Sequence, residues 1–418
     1  MKSVIANIFQ SDFNKNILKL FTGTSLSTLI TFIVLPLVTR IYSTEDYGTF
    51  QLIISVITLF TAVTSLKYEM AIVLPRKSED SRVVILLSIL ILIIVTLLIS
   101  IVFLIAGEFV LSLLDATELL PYLFLVCLGI LIGGMAQILQ WVLVNNKMYG
   151  KLSKVKIAET TVTQSSSLSL GMVHPSFLGL FISYLSGQIV NILLSIRNSH
   201  LRFDDVDKFK IKNTITEYKK FPLINAPMTF MNKLSLELPI FMIAKSFGPE
   251  YVGLYALSYR IMRKPMQLLG DSFSKVYYQE ASDAYKKNNN ALIVTYIATV
   301  KKLCIIGFIP IVIVLLFGPQ LVEMVFGAKW REAGVFLQIL AFWNYFQFIN
   351  SPISKTYSII NKQEIALSLI LSSLIIRFLT MVLFDDTIYQ FLIAVSIVTG
   401  GFYLFYNIGI YISLRRLK

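Results

Sequence analysis

Inside a long apolar stretch, the segment "MNKLSLELPI" at residues 231–240 carries Lys233 and Glu237 four residues apart. Asn225, Thr229, Lys233 and Glu237 recur every four residues with Asn232 beside them, so a helix through this stretch has one polar face. The next apolar stretch is marked more strongly. Arg260, Arg263, Lys264, Gln267, Asp271 and Ser274 fall on one helical face, and Leu257, Ile261 and Leu268 on another. The chemistry open to such residues is anion binding, because arginine offers a planar two-pronged donor and lysine a compact point charge. Lys233, Arg260, Arg263, Lys264, Asn232 and Gln267 are therefore candidate substrate ligands, suited to a diphosphate. The plainer reading is a structural ion-pair network. A local Lys–Glu pair in this order contributes only about 0.2–0.5 kcal/mol, whereas each charge near a bilayer centre costs about 2.5–3.5 kcal/mol.

Glu237, Asp271, Glu69, Arg40, Lys67 and Arg377 are candidates for coupling or gating. Uncharged polar residues form further stripes: Gln51, Ser55, Thr58, Ser65 with Glu69, and Asn344, Gln347, Ser351, Ser354 with Ser358. Hydrogen bonding between helices is the leading reading of these stripes. Glu159, near the end of an apolar run, is explained by snorkelling to an interface. No catalytic set stands out. Cys127 and Cys304 fall in apolar runs and have no ligand spacing to His174 or His200, so neither a metal site nor a disulfide framework is expected. No cofactor is implied, and the phosphate-binding pattern GxxxxGK[ST] is absent.

These residues need elements that can hold charge inside an apolar chain. Of 418 residues, 56% are hydrophobic and only 15% charged, which excludes a soluble fold. Apolar runs long enough to cross about 30 Å of hydrocarbon as helices recur near 17–39, 48–66, 83–106, 119–144, 155–173, 176–196, 223–245, 252–274, 291–317, 334–354, 365–384 and 389–413. The chain is expected to be an all-α polytopic membrane protein of twelve transmembrane helices. Strand-like alternation is absent, which argues against a barrel. At about 1.5 Å rise per residue, Lys233 comes level with Arg263 and Glu237 with Arg260, near the bilayer middle. Pro265 predicts a kink in the middle of the eighth span, facing a cavity.

The net charge of +13 follows the loops rather than a nucleic-acid surface. Lys67, Arg76, Lys77 and Arg82 follow the second run, and Lys147, Lys151, Lys154 and Lys156 follow the fourth, while Glu108, Asp115, Glu118, Asp385 and Asp386 mark alternate loops. The positive-inside rule then puts both termini in the cytoplasm. Residues 1–19 lack a signal-peptide pattern and read as a short amphipathic lead-in. The most polar segment, 197–222, divides the chain into an N-lobe, 1–196, and a C-lobe, 223–418, as a cytoplasmic linker. Arg40, Glu45, Gly48 and Phe50 line up with Lys245, Glu250, Gly253 and Tyr255 at one constant offset, which predicts an internal repeat of six helices.

Three blocks, "LPLVTRIYSTEDYGTFQL", "LKYEMAIVLPRKSEDSR" and "KKFPLINAPMTFMNKLSLELPIFMIAKSFGPEYVGLYALSYRIMRKPMQLLG", resemble the bacterial polysaccharide repeat-unit flippases. These are the Wzx-like members, serving O-antigen of lipopolysaccharide or capsule, of the multidrug/oligosaccharidyl-lipid/polysaccharide (MOP) exporter superfamily. The resemblance runs from the first span to the last. It implies a MATE-like fold of two six-helix lobes around a central cavity in the bacterial cytoplasmic (inner) membrane. The implied cargo is an undecaprenyl-diphosphate-linked oligosaccharide, moved from the cytoplasmic to the outer leaflet by alternating access. Implied partners are this lipid-linked saccharide, the bilayer, H+ or Na+ as coupling ion, and a polysaccharide polymerase with its chain-length regulator; no nucleic acid is expected. Two alternatives stay open: a multidrug or other lipid exporter of the same superfamily, and a membrane-embedded polymerase or ligase. Short outer loops disfavour the enzyme, and the excess of cations disfavours the drug exporter.

Overall fold

The computed structural model describes residues 12–75, 77–113, 117–199, 208–360 and 362–416, and among these no strand occurs. Among the described residues twelve long helices follow one another: α1 Asp12–Ile41, α2 Thr44–Thr61, α3 Ser78–Leu113, α4 Leu123–Asn145, α5 Tyr149–Val173, α6 Phe177–Ser199, α7 Ala226–Phe247, α8 Pro249–Lys287, α9 Asn289–Phe326, α10 Arg331–Ile353, α11 Gln363–Leu383 and α12 Ile388–Arg415. Short helical turns join several of them, including a 3-10 turn at Tyr68–Val73. A helix at Lys208–Glu217 and a π-helical turn at Phe221–Asn225 lead into α7.

Seven of the twelve, α1, α3, α4, α6, α9, α11 and α12, are long and apolar enough to cross a membrane on composition alone. The other five are α7 and α8, which carry the charged stripes, α2 and α10, which carry the uncharged polar ones, and α5, which holds Glu159. A polar face survives in hydrocarbon only where it meets protein or enclosed water.

By contacts the chain forms two compact units, Met1–Lys245 and Ser246–Lys418, so nearly all of α7 belongs with the first six helices. In the first unit α2 and α3 each pack on α4, and α4 and α5 on α6. The same pattern recurs in the second, where α8 and α9 pack on α10, and α10 and α11 on α12. Small residues permit the closest approaches. A Cβ on Gly187 of α6 would come within 1.9 Å of Thr163 Oγ1 on α5, so only glycine fits there. The second unit has a core of Tyr277, Leu292, Tyr296, Phe348, Tyr357 and Tyr406. Tyr296 OH closes it by donating to the Asn407 carbonyl at 2.8 Å.

The repeated residues hold the same places in both halves. Arg40 and Lys245 lie in the last turns of α1 and α7, and Glu45 and Glu250 in the first turns of α2 and α8. Each sign opposes the local helix dipole favourably. The turns themselves differ: Ser43 caps α2 by accepting from Asp46 N at 2.9 Å, whereas Gly248, at φ 90°, precedes Pro249 at the start of α8.

Several expected boundaries move. The second span ends at Thr61, so Ser65 and Glu69 leave the stripe they were expected to continue and sit on the following turn. Ser358 likewise leaves α10 for the short helix Thr356–Ile359. α8 continues thirteen residues past the expected Ser274, because a helix leaving lipid keeps its backbone bonds while its side chains turn polar. α8 runs as one helix through Pro265, and non-helical backbone appears instead at Ala106 of α3 (φ −129°, ψ 26°). Of the lead-in, residues 1–11 lie outside the described residues, and Asp12 onward is continuous with α1.

Candidate functional site

The first unit builds a polar cavity from the end of α2 upward. Beyond Thr61 the chain reverses through Leu66 (φ 48°) and Lys67 (φ 65°), two consecutive left-handed residues with side chains. Such backbone is costly and persists only where surrounding contacts enforce it. Here it brings Lys67 Nζ to 3.2 Å from Glu69 Oε1, with the side chains 7% and 0% exposed. Gln137 on α4 donates to the same oxygen at 2.9 Å, and Ser65 Oγ donates to Glu69 Oε2. A buried carboxylate is tolerable when it is paired and its lone pairs are filled in this way.

Lys67 and Gln137 line a cavity of about 320 Å³ together with Thr58, Thr61, Gln188 and Lys233. Gln188 on α6 repeats the arrangement at a second carboxylate. Its Nε2 donates to Glu159 Oε1 at 3.1 Å, Asn191 Nδ2 donates to Oε2 at 2.7 Å, and Lys156 Nζ lies 2.9 Å from Oε1. Glu159 is buried and held by protein, which corrects the expectation that it snorkels. Among the described residues no carboxylate lies within ion-pair distance of Lys233. Among the described residues, then, the cavity carries a cation without a neutralising carboxylate beside it. One helical turn along α7, Glu237 accepts from Ser55 Oγ of α2 at 2.7 Å.

In the second unit two arginines rest against rings. Tyr255 stacks on Tyr259 with centroids 5.7 Å apart, and Tyr259 lies 5.9 Å from Trp343 of α10. The Arg263 guanidinium sits 4.9 Å from the Tyr259 centroid, and that of Arg377 on α11 sits 5.3 Å from Trp343. Arg377 is 9% exposed, and its Nε has no hydrogen-bond partner. Nearby, Gln347 Nε2 donates to Tyr403 OH at 3.4 Å. Among the described residues neither Arg263 nor Arg377 has a carboxylate within ion-pair distance.

Among the expected ligands and gates, Lys67, Glu69 and Lys233 thus meet around one cavity, and Arg263 and Arg377 bracket one aromatic ladder. Asn232 and Lys264 are exposed, Arg260 is half-buried on α8, and Arg40 is exposed at the end of α1. Gln267 and Asp271 lie on α8, with side chains outside the described residues. Sequence reasoning passed over Gln137, Tyr184, Gln188 and Trp343. The amides stand within otherwise apolar runs of α4 and α6, which is the signal that marks them.

Residues 37–334 match a family described as polysaccharide biosynthesis protein. No curated protein sequence matches the chain. Among solved structures it is similar to the lipid II flippase MurJ in an inward closed conformation, with TM-score 0.71 and 15% identity, covering 94% of this chain and 89% of that one. It is also similar to a multidrug resistance MATE family transporter of the MOP superfamily in an inward-facing conformation, with TM-score 0.68 and 14% identity over 95% and 93% of the two chains. A MOP superfamily transporter from Pyrococcus furiosus gives TM-score 0.61 and 16% identity over 98% and 96%. At such identities the likeness is one of fold: twelve transmembrane helices in two six-helix lobes. With the family match running from the end of α1 to the start of α10, the chain belongs to the polysaccharide biosynthesis protein family and has the fold of the MOP exporter superfamily.

Proposed function

We propose that this chain is a lipid-linked oligosaccharide flippase of the bacterial cytoplasmic membrane, with both termini in the cytoplasm. It moves undecaprenyl-diphosphate-linked repeat units of O-antigen or capsule from the cytoplasmic to the outer leaflet by alternating access of its two lobes. The observation that carries this reading is Lys233, a cation on a cavity wall with no carboxylate partner among the described residues. An unneutralised intramembrane charge is a functional site by default, and its complement is an anion such as a diphosphate. A cationic drug finds less there, because Glu69 and Glu159 are each occupied by a lysine and an amide. Family membership supports the polysaccharide side of the reading, and MurJ is itself named a flippase of a lipid. Coupling to H+ or Na+ falls to Glu237, a half-buried carboxylate bonded to Ser55.

The test is surface polysaccharide in the source organism with the chromosomal copy replaced by variants. Lys233→Ala is expected to abolish it at unchanged membrane level of the protein, and Lys233→Arg to retain part of it. Normal surface polysaccharide with a stable Lys233→Ala protein would falsify the reading.

A further inference from the structure

We infer that the cavity of the first unit is a saccharide subsite, in which Thr61, Tyr184, Gln137 and Gln188 bind the hydroxyls of one sugar ring and Gly133 sets the room for it. This rests on the flippase reading and says which part of the cargo this cavity meets. The two glutamines are prepared in the same way. Gln137 gives one N–H to Glu69 at 2.9 Å and Gln188 gives one to Glu159 at 3.1 Å, so a buried carboxylate fixes the rotamer of each. What remains on each amide is a carbonyl acceptor and a second N–H, the complement of a hydroxyl that both donates and accepts.

The hydroxyls supply an independent sign. Thr61 Oγ1 is buried and has no hydrogen-bond partner, an uncommon condition for a polar group in a native interior. Gly133 of α4 faces it across a gap: a Cβ built there would stand 3.5 Å from Thr61 Oγ1 and 3.5 Å from Tyr184 OH. Those are ordinary contact distances, so alanine would fit without displacing either residue and would fill the gap between the two hydroxyls. The size agrees, since about 320 Å³ is near the low end of ligand cavities, roughly 300–1,000 Å³, and suits one ring rather than a whole repeat unit. The charge agrees as well. Lys67 is neutralised by Glu69, so the wall made of amides and hydroxyls is nearly neutral, and Lys233 stands at the cavity as the cation for a neighbouring phosphate.

The experiment uses the full chain in nanodiscs and two probes: undecaprenyl diphosphate without sugar, and the lipid-linked saccharide extracted from cells of the source organism that lack this protein. The wild type is expected to bind the sugar-bearing lipid about tenfold more tightly than the bare one. Gly133→Ala and Thr61→Val should each bring that ratio close to one while leaving affinity for the bare lipid as it was. Lys233→Ala, by contrast, should weaken both probes. Equal wild-type affinity for the two lipids, or an undiminished ratio in both variants, overturns the subsite and leaves the flippase reading standing. Absence of wild-type binding to either probe overturns both. Should Gly133→Ala prove unstable, Thr61→Val decides, because it removes one hydroxyl at constant shape.

Discussion

In the first unit Lys67 lies 3.2 Å from the carboxylate of Glu69, and a glutamine and a serine complete that carboxylate's bonds; in the second, Arg263 and Arg377 rest on the faces of Tyr259 and Trp343. Both arrangements hold a cation within an apolar chain, but they leave it in different states. A carboxylate cancels the charge. A ring face attracts it by about 0.5–2 kcal/mol and cancels nothing, so the cation remains available to whatever anion enters. The first arrangement builds walls, and the second keeps charge in reserve. Lys233 stands apart from both, on a cavity wall with neither a carboxylate nor a ring within contact among the described residues.

The sharpest separation of the two should come from Glu69. Glu69→Ala strands a buried ammonium and should cost about 3–5 kcal/mol, seen as a lowered melting temperature of the purified protein. The double variant Lys67→Met, Glu69→Leu should recover most of that loss; equal melting temperatures for single and double variants would mean that the pair is not the wall described here. Glu159→Gln ranks next, at about 1–3 kcal/mol, because Asn191 and Gln188 lose a charged acceptor while Lys156 can turn to solvent. Arg377→Leu should change stability least, by about 1 kcal/mol in either direction, as the lost ring contact and the relieved burial of charge nearly offset. Export should fall even so. If Arg377→Leu destabilises as much as Glu69→Ala, its charge is neutralised and the contrast between the units fails.

The twelve spans were legible because lipid demands apolar runs of a set length, and the repeat because the residues that match it sit at helix ends, where the dipole selects their charge. Helix ends beyond the lipid were not. The segment after Ser274 in α8 is as polar as a soluble helix, and apolar length records where lipid stops rather than where the helix does. The stripe extending to Glu69 was misread for a related reason: a four-residue spacing fits a helix and also the turn that in fact carries Glu69. Lys233 was picked out as a charge within an apolar run, and it lines the cavity. Its neighbours were not, since Gln137 and Gln188 come from α4 and α6, far apart in sequence, and only packing brings them to one cavity. Glu159 went unrecognised because a single carboxylate near a span end looks the same whether it reaches for water or is gripped by two amides and a lysine.

The overlong α8 has a mechanical consequence. At about 1.5 Å per residue its 39 residues extend close to 58 Å, against about 30 Å of hydrocarbon, and α9, with 38, returns alongside it after Asn288 alone. Asn288 stiffens the reversal by accepting from Ala291 N at 2.7 Å, and Tyr277 OH is tied to Thr356 Oγ1 at 2.5 Å where the hairpin meets the chain beyond α10. The pair is thus a braced lever about twice as long as a hydrocarbon core is thick, and a tilt of ten degrees carries the tip of its outer half through about 5 Å. A spin or fluorescent label at Asn290 would magnify any rocking of this unit into a displacement large enough to time, away from the candidate site residues.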